Sequence, residues 1–141
     1  MIYLIFIGAV DVNFRIDEVL YLDIETPFCD LGKIEPFEKS KEYISALKVR
    51  VYANVNYELR CEPEGDFISN SGSIIPIERM SVKAKGGEYI TLEKSGVTFY
   101  KGGITGEMGE VIPIDIMIKP SFEDEPGEYR TRLTITIIRV Y

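Results

Sequence analysis

An all-β domain is the fold class this chain predicts: a two-sheet antiparallel sandwich of eight or nine strands. The C-terminal stretch opens on Pro126-Gly127 and then alternates Tyr129, Thr131, Leu133, Ile135 and Ile137 with Arg130, Arg132, Thr134 and Thr136. A period of two after a turn dipeptide marks a half-buried strand. The same alternation recurs as Leu47, Val49, Val51 and Ala53 against Lys48, Arg50 and Tyr52, and as Ile112, Ile114, Ile116 and Ile118 against Pro113, Asp115, Met117 and Lys119. No helical period competes over a comparable length, and turn residues punctuate the chain throughout.

The elements follow in order. Residues 9–16 alternate Val10, Val12, Phe14 and Ile16 with Asp11, Asn13, Arg15 and Asp17, which predicts a first strand. Further strands are expected at 19–26, 44–54, 56–62, 74–85, 88–93, 97–100, 110–119 and 128–140. Residues 36–43 fit a helical turn or a polar loop. Pro63-Glu64-Gly65-Asp66, Asn70-Ser71-Gly72-Ser73, Lys85-Gly86-Gly87, Ser95-Gly96, Gly102-Gly103 and Glu125-Pro126-Gly127 supply the preset or positive φ that chain reversal needs. One row of each strand then faces a core and the other faces water. Arg130 and Arg132 on the wet row of the last strand are expected to discourage edge pairing.

The chain has 141 residues and 45% apolar content, which suits a single domain over 1–141 with a core of its own. A net charge of −7, with the basic residues dispersed, disfavours nucleic acid. The run Met1–Val10 is too short to span a bilayer, which takes ~20 residues as a helix. No integral membrane segment is therefore expected. Residues 1–10 read either as the remnant of a signal peptide, with Gly8 and Ala9 near a cleavage point, or as a terminal strand. The chain contains no histidine, which removes the Ser-His-Asp and Cys-His arrangements, the usual zinc sets and the commonest general base. The expectation is a protein that is not an enzyme and uses no cofactor, with no catalytic, cofactor-binding or metal residues assigned.

Three motifs together resemble the secreted β-sandwich modules of bacterial and archaeal cell surfaces and of pilus or coat subunits. They are Asp30-Leu31-Gly32-Lys33-Ile34-Glu35-Pro36, the paired-strand run from Val49 to Leu59 with Tyr57 as its aromatic, and the closing run from Pro126 to Thr136. Together they cover about residues 19–141. The chain has no Trp, and so lacks the Trp-x-Leu pair of one cell-wall-anchored subgroup. The resemblance implies an immunoglobulin-like, non-enzymatic structural or interaction module, extracellular or at the cell surface, with a cytoplasmic location as the other possibility. Its partner would be a protein or a second copy of itself. The alternative is a carbohydrate- or small-ligand-binding sandwich with loop-borne calcium.

Candidate sites are few. Ile2, Leu4, Phe6, Val10, Val12 and Phe14 would be the anchoring side chains if the N-terminal segment completed a neighbour's sheet, although pairing within its own sheet is the simpler expectation. Cys29 and Cys61 read as two separate thiols, with a disulfide between them as the alternative. Lys101–Gly109 lacks the Gly-Lys-Ser/Thr ending of a phosphate loop and reads as a hairpin connection. The acidic groups Glu62, Glu64 and Asp66, and Glu123, Asp124 and Glu125, read as solvated turns rather than calcium ligands. Tyr52 is placed on a wet row, whereas Tyr57 and Tyr129 fall on apolar rows.

Overall fold

The computed structural model describes residues 3–141. Its strands are β1 (Leu20–Ile24), β2 (Lys41–Ala53), β3 (Tyr57–Pro63), β4 (Phe67–Ser69), β5 (Ile74–Ile75), β6 (Met80–Ala84), β7 (Ile90–Thr91), β8 (Val97–Gly102), β9 (Glu110–Ile118), β10 (Tyr129–Arg130) and β11 (Leu133–Arg139). A single 3-10 turn, Ile77–Arg79, is the helical element among the described residues. All the pairings are antiparallel. One sheet has the order β1-β2-β9-β6-β7 and a second the order β11-β3-β8, while a small third sheet, β10-β4-β5, lies apart from both ladders. The fold is an all-β, sandwich-like arrangement, with more strands than the eight or nine expected because several of the expected runs are divided.

The core is built where the period-two rows of the two main sheets meet. Val49, Val51 and Ala53 of β2, Ile112, Ile114 and Ile116 of β9, and Met80, Val82 and Ala84 of β6 are buried in one cluster with Tyr57, Leu59 and Cys61 of β3 and Phe99 of β8. Register holds these rows in phase. Val49 lies opposite Ile112, and Leu47 opposite Ile114, on the β2–β9 ladder, so apolar meets apolar across these two rungs. Between Tyr43 and Leu47 that ladder is interrupted by a bulge. Ser45 there takes a left-handed φ of 52°, and its amide donates to Asp115 Oδ1 at 2.7 Å.

Several expected strands are shortened for local reasons. The run 74–85 breaks at Pro76, which has no amide to give a ladder; the chain turns into the 3-10 segment, and the amide of buried Ile77 is taken by Asp66 Oδ1 at 3.0 Å. The run 128–140 breaks at Thr131 and Arg132, where the Thr131 hydroxyl donates to the Gly65 carbonyl at 3.0 Å. Arg130 therefore lies on β10 and Arg132 in the break, so neither guards the edge of β11 as the sequence suggested. The first expected strand, 9–16, is absent: no residue from 3 to 19 belongs to a ladder. Its alternation is real but has no ladder partner among the described residues.

Tyr57 imposes a constraint on the strand beside it. It pairs across the ladder with Gly102, and its ring lies over that glycine so closely that a Cβ there would fall 2.4 Å from Tyr57 Cζ and Oη. Position 102 therefore accepts no side chain while Tyr57 stays in the core. Gly102→Ala is expected to destabilise the fold by about 1–3 kcal/mol through overpacking, read as a lower denaturant midpoint with an unchanged slope. Pairing it with Tyr57→Leu should restore part of the loss, whereas two independent losses would show that the ring is not the obstacle.

Candidate interaction surface: an unpaired segment and an open seam

Residues 3–16 carry the longest run of exposed large apolar side chains among the described residues. Val10 is 86% exposed, Val12 79%, Phe14 85% and Ile16 77%. Leu4 and Phe6 are exposed as well, while Ile2 lies outside the described residues. Soluble chains rarely leave a contiguous patch of this kind uncovered unless something else covers it.

The segment is released at a defined point. Asn54, in the turn between β2 and β3, accepts the Val19 amide on Oδ1 at 2.7 Å, donates Nδ2 to the Asp17 carbonyl at 3.0 Å, and donates its own amide to the Val19 carbonyl at 3.0 Å. Glu18 is ion-paired with Arg139, the last residue of β11. The chain is thus clamped over residues 17–19, immediately before β1. Nothing local in the sequence shows that the Asn54 side chain reaches 35 residues back.

The two edges of the sandwich are unequal. On the β7–β8 side, Leu92 and Phe99 are buried between the sheets, beside the half-buried Ile90 and Val97. On the other side β1 and β11, the edge strands of the two main sheets, approach each other, and their inward rows are Leu20 and Leu22, and Leu133, Ile135 and Ile137. All five are only half-buried, although they pack on the core cluster. This seam is open.

Cys29 is half-buried against the core and Cys61 is buried within it, each as a free thiol. Burial, helped by the neighbouring Asp30 charge, raises the Cys29 pKa. Burial alone pushes Cys61 up from 9.0 to about 12. The 103–109 stretch is the β8–β9 connection, pinned where Thr105 Oγ1 accepts the Ala53 amide at 3.0 Å. Asp66 accepts the Ile77 amide and pairs with Lys94 at 3.2 Å, which together hold its carboxyl below the ordinary value. Burial opposes ionisation of Asp124, but two hydrogen bonds from Arg79 and one from the Ser121 amide overcome it and keep the carboxyl low. Glu125 accepts from the Ser73 hydroxyl at 2.5 Å. Both acidic clusters thus spend carboxylates on tying loops together. Tyr52 sits on the outer face next to Tyr21, with ring centroids 6.0 Å apart and planes tilted by 43°. No helix of the described chain is long and apolar enough to cross a membrane.

No protein-family model matches the chain, and no curated protein matches it in sequence. Among solved structures, it is similar to a chain of a chaperone–tip adhesin complex described as vital for synergistic activation of CFA/I fimbriae biogenesis, with a TM-score of 0.54 and 9% identity over 86% of this chain. The chain spans 42% of the length of that one. It is also similar to a family 123 glycoside hydrolase from Clostridium perfringens, with a TM-score of 0.45 and 13% identity over 86% of this chain and 25% of that one. At such identities the first likeness concerns fold alone.

Two outcomes follow from this geometry. Asn54→Ala removes both side-chain bonds of the clamp and is expected to cost about 1–2 kcal/mol, with faster hydrogen exchange confined to the Val19 amide and its neighbours. The folded chain holds the Cys61 proton more tightly than the unfolded chain. Under reducing conditions stability should therefore lose nothing to this group below about pH 9 and should fall as pH rises from there toward about 12. Cys61→Ala should flatten that alkaline slope in denaturant titrations, and an unchanged slope would refute the assignment.

Proposed function

We propose that this chain is a non-enzymatic structural and interaction module of a cell surface or secreted assembly, and that it acts by strand addition through its N-terminal segment. The observation that carries this reading is the exposed alternation of Val10, Val12, Phe14 and Ile16 in a chain whose other alternating runs are paired. Burying each of these side chains is worth about 1.5–3 kcal/mol, a gain this fold leaves uncollected. Strand addition collects it: backbone hydrogen bonds supply affinity, and the alternate side chains set the register. The fold likeness to a chain of a fimbrial chaperone–adhesin complex agrees with a surface role.

The reading of a calcium-loaded carbohydrate module has less in its favour. Asp66 and Asp124 already neutralise Lys94 and Arg79, and the Tyr21 and Tyr52 rings are tilted rather than coplanar, so they make a poor platform for a sugar face.

The test is hydrogen exchange on dilute full-length chain. The amides of residues 3–16 are expected to exchange at unprotected rates while those of β2, β3 and β9 are protected. Strong protection of residues 10–16 in a chain shown to be single at that dilution would make the segment an ordinary strand of its own sheet, and the proposal would be lost.

A further inference from the structure

We propose that the receptor for the segment is the open seam between β1 and β11 of a second copy of this chain, with residues 10–16 pairing along the free edge of β11. This rests on the strand-addition reading above and names its partner.

The free edge of β11 has the bonding pattern such a strand requires. Arg132 O accepts the Glu64 amide, and the Val140 amide donates to Asn56 O, so the even-numbered residues of β11 are the ones hydrogen-bonded to β3. In an antiparallel ladder the alternate residues turn their amides and carbonyls the other way. Leu133, Ile135, Ile137 and Arg139 therefore offer theirs to an incoming strand. The side chains of Leu133, Ile135 and Ile137 also form the half-buried inward row, so a strand bound here places its own inward row beside them, between the sheets.

Length and pattern match. Val10–Ile16 and Leu133–Arg139 are both seven-residue runs. The segment presents Val10, Val12, Phe14 and Ile16 on one face and Asp11, Asn13 and Arg15 on the other. A slip by one residue would drive the polar row into the core, so the pairing fixes its own phase. Asp11 and Arg15 cancel, and the segment brings no net charge to a neighbour that carries −7.

The second copy is favoured over the chain's own segment by the clamp. To enter its own seam, the segment must reverse direction within residues 17–19, where the Asp17 carbonyl and both backbone groups of Val19 are held by Asn54 and Glu18 is held by Arg139. Entry into another copy breaks none of these bonds.

The test is the mass of the full-length chain by analytical ultracentrifugation over an about hundred-fold concentration range. Mass is expected to rise in whole-chain steps, and a synthetic peptide of residues 9–18 in excess is expected to return it to one chain with one peptide bound. Phe14→Asp alters a side chain outside the core and should weaken association at least about tenfold. That variant, which keeps its seam, mixed with Ile135→Glu, which keeps its segment, should give two-chain species and nothing larger. If Ile135→Glu does not fold, the peptide and its Phe14→Asp counterpart carry the same comparison. Assembly unchanged by Phe14→Asp overturns the proposal. A single chain at every concentration that binds no peptide also overturns it, in one of two ways. If residues 10–16 remain unprotected in exchange, only the choice of receptor fails and another partner is required. If they are protected, the segment fills its own seam and strand addition fails with it.

Discussion

The meeting of two period-two rows, those of β2, β9 and β6 on one sheet with that of β3 on the other, is the contact on which the rest of this molecule depends. Burial of Val49, Val51, Ile112, Ile114 and Val82 against Tyr57, Leu59 and Cys61 sets the spacing of the sheets. That spacing forces the Tyr57 ring onto Gly102, and so fixes the residue at which β8 must end its side-chain row. It also decides which strands become edges. The inward residues of β1 and β11 pack on this core but stay half-buried.

Much of this was legible in the sequence, because a strand that packs on one face must alternate and a strand that alternates advertises which face. The rows at 47–53, 57–61 and 112–118 were readable residue by residue, and Tyr52 and Tyr57 fell on the faces their parity assigned. The breaks were less readable. Pro76 signals an interruption, yet the 3-10 turn that follows depends on Asp66 reaching the Ile77 amide from a distant loop. The division of the last strand at Thr131 depends likewise on Gly65. The short strand Phe67–Ser69 has too few residues to show a period.

The N-terminal segment shows where pattern stops informing. Alternation states which side chains a strand would bury, not whether a neighbouring strand exists to bury them, so residues 9–16 read like any core strand. Only the placement of Asn54, with the chain clamped at residues 17–19, reveals that the segment leaves the sandwich. The same holds for the acidic loops: their composition does not show that Asp124 meets Arg79 and Asp66 meets Lys94, each far off in sequence.

Leu92 and Phe99 are buried on the far side of the sandwich, and the proposed pairing on the near side would give the body a valence. In the proposed pairing each copy would have one place to receive and one extension to give, at different points on the surface. Units of that kind do not branch and do not need to close on themselves; joined head to tail they make a thread, one end finishing in a bare tail and the other in a vacant slot.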